Sequence, residues 1–184
     1  QRILLADKAA HEDPLRAVTH NKGIMNGVSA LALATGNDTR ALEAAVHSYA
    51  ARDGAYRGLT SYRINDEFLV GTIDIPTPLA TVGGAVSFHP VSRFSLRVLN
   101  NPDARKLSSI AASLGLAQNF AALYALVSEG IQKGHMKLHR RRIAYHAGAR
   151  GEEVERVAEM LSQENHWNPE TAGLILKQIR EAGE

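Results

Sequence analysis

Apolar positions along this 184-residue chain recur at helical spacing in several stretches and alternate at strand spacing in one. The strongest helical signal runs from Lys106 to Ser128, where six alanines between Ala111 and Ala125 favour close packing against neighbouring elements. Asp38 to Ala51 reads as an amphipathic helix with Leu42, Ala45, Val46 and Tyr49 on one face. Asp13-Pro14 has the form of a helix start, because a proline at the first helical position gives up no needed donor. Beyond it, Thr19 to Gly27 (THNKGIMNG) is rich in Gly, Asn and His and predicts a loop or tight turn. Gln1 to Lys8 is too short and mixed to assign.

Leu59 to Ile64 and Phe68 to Ile75 are rich in β-branched and aromatic residues and predict a hairpin turning at Asn65-Asp66. Pro76 and Pro78 end the second strand. Thr81 to Ala85 (TVGGA) predicts a glycine-bearing bend where backbone can approach a ligand closely. After Gly130 and Gly134, a possible hinge, the composition shifts. Residues 133–142 hold five Lys or Arg and no acid, whereas 152–164 hold five Glu. Two helices fit this tail, Glu152–Ser162 and Pro169–Ala182, the second capped by Asn168. The expectation is an α+β fold: residues 1–131 as a helix-rich body with a β-hairpin or small sheet, and residues 132–184 as a small helical domain.

With 45% apolar and 22% charged residues, the composition is that of an ordinary globular protein. Cysteine is absent, which excludes a disulfide framework, a zinc-thiolate cluster and a thiol nucleophile, and fits a reducing cytoplasm. The formal charge of +2 is too small for an electrostatic nucleic-acid binder overall. Ile110 to Val127 is the most apolar stretch, but Gln118 and Asn119 near its centre make it read as a core helix rather than a membrane span. No signal peptide is visible. The chain opens on Gln1 rather than Met, so an upstream segment is expected to be missing.

Several residues carry candidate chemistry. Lys22, in a glycine-flanked, asparagine-rich segment, can stabilise negative charge developing on a substrate oxygen, or is a solvated surface lysine. No phosphate-cradle order is complete around it. Asp38 at a helix start complements the macrodipole, worth roughly 0.3–1 kcal/mol, or orients a nearby lysine. His135 and His139 share a helix face, but HMKLH lacks the glutamate of a zincin pattern and no third ligand is evident, so no metal is expected. His135 alone can deliver a proton, or is a surface histidine of a basic helix. The basic run 133–142 lacks aromatic interleaving, so it reads as a solvated face or a few contacts to a ligand phosphate rather than a nucleic-acid surface. Gln118 and Asn119, if buried, either bond backbone locally or line a pocket.

Five strings in order and spacing add to this reading: THNKGIMNG at 19–27, ATGND at 34–38, TVGGA at 81–85, GLAQN at 115–119 and EGIQKGHMKLH at 129–139. Together they resemble hydroxymethylglutaryl-CoA reductases, most closely the soluble bacterial class, from about Asp13 to the C-terminus. The resemblance implies an oxidoreductase interconverting hydroxymethylglutaryl-CoA with mevalonate and CoA by two hydride transfers with NADH or NADPH. It also implies a cytoplasmic enzyme that forms a homodimer or higher oligomer and engages neither membrane nor nucleic acid.

By position, Lys22 matches the family's catalytic lysine, Asp38 its aspartate partner and His135 its flap histidine. Arg16 would then bind the acyl carboxylate and Asn26 would bond near the reacting centre. Gln118, Ala122, Leu126 and Ile131 would line the acyl and pantetheine path, while Gly83 and Gly84 would let backbone approach the nicotinamide. The 132–184 tail resembles the family's C-terminal flap, and residues 1–131 the later part of its large domain. The family's upstream glutamate and dinucleotide domain have no counterpart here, so the expectation is a C-terminal portion without full turnover alone. The alternative is a CoA-thioester-binding fragment without chemistry.

Overall fold

The computed structural model describes residues 1–128, 131–164 and 166–181, the side chains of 131–135 excepted. In chain order the elements are α1 (Arg2–Glu12), α2 (Pro14–Ala34), α3 (Thr39–Ala50), β1 (Thr60–Asn65), β2 (Phe68–Ile73), α4 (Gly84–Phe88), α5 (Pro90–Val98), α6 (Ala104–Val127), α7 (Ile131–His146), α8 (Glu152–Leu161) and α9 (Pro169–Glu181). This is the α+β class expected, helix-rich with one small antiparallel sheet. The chain divides into two compact units, Gln1–Val127 and Ser128–Glu184.

The first unit is built on α2 packed against α6. Asp13 caps α2, its Oδ1 accepting from Leu15 N at 2.9 Å ahead of Pro14. The segment expected to be a loop, THNKGIMNG, lies wholly within this helix. Of its two glycines, Gly27 is there for contact rather than for turning. A Cβ at Gly27 would sit 2.8 Å from Gln118 Cγ and 3.0 Å from Leu114 Cγ. One at Gly115 would sit 3.0 Å from both Ile24 Cγ2 and Val28 Cγ2. Partner numbers on α6 fall as those on α2 rise, so the helices run antiparallel with backbones brought close by missing side chains. Ile24, Val28, Leu107, Ala111 and Leu123 are fully or almost fully buried around this contact, and Leu42 and Val46 of α3 extend the core.

The hairpin forms in the register Thr60↔Ile73 to Asn65↔Phe68, so the turn is Asp66-Glu67, one residue later than expected, with Asp66 at φ 53°. The second strand stops at Ile73 rather than Ile75. Three elements were not foreseen. α1 covers the unassigned N-terminus, and α4 and α5 follow the Gly83-Gly84 bend, α5 beginning at Pro90. α6 is long and apolar enough to cross a membrane by length and composition. Its inner face nevertheless packs against α1, α2 and β2 and carries a buried amide, Asn119.

In the second unit α7, α8 and α9 pack on one another around Ile143, Val157, Leu161, Ala172 and Leu176. The expected two tail helices are α8 and α9, with Asn168 Oδ1 accepting from Thr171 N at 2.8 Å; the basic run adds α7. Arg180 grips Glu153 through two hydrogen bonds of 2.8 and 2.9 Å. These bonds, with the Arg150 N–H, hold the Glu153 carboxyl down at about 2.

One polar junction lies inside the first unit. Thr60 Oγ1 is 2.6 Å from His20 Nε2, 3.1 Å from Asn119 Oδ1 and 3.3 Å from Asp7 Oδ1. Asn119 Nδ2 donates to His20 Nε2 at 3.0 Å, Tyr62 OH donates to Asn119 Oδ1 at 3.0 Å, and Tyr62 N donates to Asp7 Oδ2 at 3.1 Å. The junction therefore ties α1, α2, β1 and α6 together. Next to His20, Asn21 donates to Arg57 O at 2.8 Å and accepts from Leu59 N at 3.1 Å, which fixes the approach to β1. Because His20 Nε2 accepts from Asn119, the ring is neutral, and burial, helped by the nearby Arg16 and His11, lowers its pKa to about 4. Its Nδ1 is buried with no hydrogen-bond partner. Burial conversely raises the Asp7 carboxyl.

Two outcomes are expected. Gly115→Val should overpack Ile24, Val28 and Ile73 and cost about 1–3 kcal/mol in urea unfolding. Gly23→Ala, whose Cβ would meet only Ala122 Cβ at an ordinary 3.8 Å, should be neutral or stabilise by up to about 1 kcal/mol. For His20, the unfolded chain binds its proton near pH 6.5 and the folded one only near 4. Its contribution is therefore present above about pH 6.5 and lost as pH falls toward 4, about 3 kcal/mol in all. Asp7 acts with the opposite sign at lower pH, losing its contribution as pH rises through its raised pKa. Unfolding free energies across pH 4–7, alongside imidazole NMR titration of His20, check this; a His20 resonance titrating near 6.5 would contradict it.

Candidate functional site

The expected site residues fall in two groups on the first unit. The first lies on α2 and α6. At 100° per residue, Arg16, Lys22 and Asn26 occupy about 120° of the α2 surface. Lys22 and Asn26 are one turn apart and exposed, and Arg16 is half-buried. Gly23 and Gly27, between them, put α6 within reach: Ala122 stands opposite Gly23 and Gln118 opposite Gly27. Gln118 is exposed and Leu126 is 42% exposed farther along α6. This face is unusually apolar for an exposed one, with Leu15, Val18 and Leu33 at 81%, 52% and 73% exposure. Lys22 thus stands on a face that exposes hydrocarbon, and among the described residues it forms no ion pair.

The second group lies past the end of α2. Asp38 is exposed and serves as the N-cap of α3, its Oδ1 accepting from Arg40 N at 2.9 Å and Ala41 N at 3.1 Å. The adjacent Asn37 side chain pairs with the Ala80 backbone in both directions, donating to Ala80 O at 3.1 Å and accepting from Ala80 N at 2.7 Å. That pair, with Val86 Cα 3.4 Å from the Cβ position of Gly36, holds the segments on both sides of the Gly83-Gly84 bend against the turn that precedes Asp38. Both glycines take positive φ, 82° and 49°, and a Cβ on either would meet nothing within 4 Å. The bend therefore presents open backbone, with Gly83 N donating to Ser87 Oγ at 2.8 Å. Gly36 is close-packed instead, its Cβ position 2.6 Å from Ser92 Oγ.

Within one chain the two groups do not meet. Lys22 precedes the end of α2 by twelve residues, about 18 Å of helix axis, and Asp38 lies beyond that end. Among the described residues, neither forms an ion pair. The side chains of Ile131 and His135, both on α7, and the whole of Gly130 lie outside the described residues. Among the described residues, no group of three His, Asp or Glu could hold a metal ion.

Apart from Asn119, the residues of the polar junction lie outside those expected to carry chemistry. Asn119 was singled out, and its partners are the side chains of His20, Thr60 and Tyr62 rather than local backbone. His20 itself was read as part of a loop. Taken as helix, the segment places His20, Ile24 and Val28 four residues apart on the buried face, and that periodicity was the available signal. Asp7 and Thr60 had no local signal, because their roles arise only when α1 and β1 meet.

Comparisons with known proteins bear on this geometry. The family described as hydroxymethylglutaryl-coenzyme A reductase matches residues 1–140. The chain is 51% identical over 179 residues to the 3-hydroxy-3-methylglutaryl-coenzyme A reductase of Archaeoglobus fulgidus, covering 97% of this chain and 41% of that protein. It is 46% identical over 145 residues to a probable reductase of Borreliella burgdorferi, covering 79% and 34%. A solved reductase from Streptococcus pneumoniae superposes with a TM-score of 0.69 at 48% identity, covering 97% of this chain and 43% of that one. A class II structure from the same organism, bound to NADPH in open conformations, gives 0.68 at 49% identity, covering 97% and 44%. The chain thus spans about two-fifths of the length of these relatives. It carries their fold over nearly all of its own residues, and it belongs to the hydroxymethylglutaryl-coenzyme A reductase family.

Proposed function

We propose that this chain supplies the lysine, aspartate and histidine of a soluble, cytoplasmic reductase that interconverts hydroxymethylglutaryl-CoA with mevalonate and CoA. The remaining length of its relatives would provide the other carboxyl group and most of the dinucleotide site. The observation that carries the reading is Lys22, without an ion pair among the described residues and on an apolar exposed face, with Arg16 and Asn26 on the same side of α2.

NADH or NADPH, when bound, supplies the hydride. In the first unit the open Gly83-Gly84 backbone is the part that would fit its nicotinamide end. Arg16 holds the acyl carboxylate through a two-pronged contact that lysine does not reproduce. Lys22 donates to the thioester oxygen and stabilises the oxyanion that forms as hydride reaches the carbonyl carbon, an effect strengthened when the apolar surround is closed to water. Asn26 fixes the oxygen's direction. When the hemithioacetal collapses, the carbon–sulfur bond breaks and His135 gives its proton to the departing thiolate. Lys22 then serves the aldehyde oxygen in the second transfer. Residues 132–184 act as the flap that brings His135 in, and residues 1–131 as the acyl-binding body.

The 18 Å of helix between Lys22 and the end of α2 bears on the assembly. Lys22 of one copy works with Asp38 of a second, in a homodimer whose sites form across the interface. The apolar surround of Lys22 is the surface that such an interface would cover.

The test uses mevalonate, CoA and oxidised dinucleotide, followed by the absorbance of reduced nicotinamide, in the full-length enzyme. Lys22→Ala should abolish turnover and leave CoA-ester binding largely intact; equal loss of both would make its role structural. His135→Ala should slow the thioester step more than reduction of free mevaldehyde. Mixing inactive Lys22→Ala and Asp38→Ala subunits should restore about a quarter of wild-type activity, since randomly formed hybrids rebuild one site of two. No recovery would place both groups in one subunit's site. CoA-ester binding without any turnover by the wild type would leave only a binding function.

A further inference from the structure

The second unit carries a groove of about 840 Å³ between α7 and α8 that the reaction above leaves unused. Met136, Leu138, Tyr145 and Val154 give it an apolar wall. Along it His139, Arg142 and His146 follow at positions i, i+3 and i+7 of α7, a single stripe beside the Leu138–Tyr145 stripe. Among the described residues that line the groove none is a carboxylate, and the nearest one shown, Glu155, is paired with Arg141 of the lining.

This imbalance follows from how the neighbouring charges are spent. Two of the four acids of α8 are engaged by other groups: Glu155 by Arg141 at 2.7 Å, and Glu153 by Arg180 and the Arg150 backbone N–H. Arg140 donates to Ala158 O at 3.1 Å and lies over the Trp167 ring at 4.8 Å. Arg142 alone of the three consecutive arginines forms no hydrogen bond or ion pair among the described residues. Tyr145 is exposed with the Arg150 guanidinium 4.2 Å from its ring centre, a flat polarised surface.

We propose that this groove binds the phosphate-bearing end of a nucleotide, its phosphate at Arg142 between the two imidazoles and its base along Tyr145 and Leu138. Guanidinium matches a phosphate in a two-pronged way, and an aromatic face beside it takes a base of any identity. His139 to His146 spans about 10 Å of helix, the scale of one nucleotide rather than of a strand. A single unpaired arginine is also too little charge for a nucleic-acid track. The inference rests on the reading above only for the choice of ligand, since both the CoA ester and NADPH end in adenosine phosphates.

The experiment titrates the 184-residue chain with adenosine 3′,5′-bisphosphate, which represents the CoA end, and adenosine 2′,5′-bisphosphate, which represents the NADP end. Adenosine, inorganic phosphate and a short single-stranded oligonucleotide serve as comparisons, read by backbone amide NMR shifts and calorimetry. One bisphosphate should bind with shifts centred on 136–154, and which one it is identifies the source. Arg142→Ala and Tyr145→Ala, both at exposed positions, should each weaken it about tenfold, while Lys177→Ala on α9 leaves it unchanged. Absence of shifts in 136–154, indifference to Arg142→Ala, or equally tight binding of oligonucleotide or inorganic phosphate would overturn the proposal. No turnover is needed for these readouts. Binding by this chain while the full-length enzyme shows no turnover counts against the reaction, and turnover by the full-length enzyme without such binding counts against the groove.

Discussion

The approach of α2 to α6 sets what every other part of the first unit can do. Helices normally pack 8–10 Å apart, held off by their side chains. Here Gly27 and Gly115 remove the spacers, and Ile24, Val28 and Ile73 fill the gap instead. Closeness of this kind keeps Gln118 and Ala122 of one helix against Gly27 and Gly23 of the other, so residues far apart in sequence share one surface. Chemistry on that surface depends on backbone packing beneath it more than on any local motif.

Closeness alone does not choose a rotation, because apolar faces slide and turn at little cost. The junction at Thr60 does choose. His20, Asn119, Asp7 and Tyr62 each offer a polar group that would be costly to bury unpaired, and they are satisfied only when four elements hold one mutual arrangement. The neutral His20 ring is the weak member: one added proton turns its accepting nitrogen into a donor facing another donor. The segment bearing Lys22 therefore inherits its orientation from a buried group that titrates.

Much of the architecture was legible in the chain. The Asp13-Pro14 start, the capped α3, the hairpin, α6 and the last two helices all rest on local rules of capping, alternation and periodicity. THNKGIMNG was misread because glycine and asparagine have two uses. As isolated peptide units they favour turns, yet at a tight helix crossing a missing side chain and a buried amide are what the partner requires. α1 escaped notice because its amphipathic signal is weak and Asp7, in its middle, points inward to Thr60 rather than out to water. The proposed site residues rest on resemblance, which carries no sign of their division into two groups. That division comes from α2 being one unbroken helix, a fact hidden as long as its centre was taken for a loop.

An unbroken α2 also acts as a ruler. Each residue between Lys22 and Thr35 advances the far end by 1.5 Å and turns it by 100°. Inserting or deleting one amino acid there would swing the Asn37–Ala80 pairing, the α3 cap and the glycine bend away from the face that carries the lysine. Substitutions on the exposed side of this span are cheap by comparison. Apart from its buried positions and the proposed site residues Lys22 and Asn26, the stretch should therefore tolerate variation in chemistry while its length stays fixed.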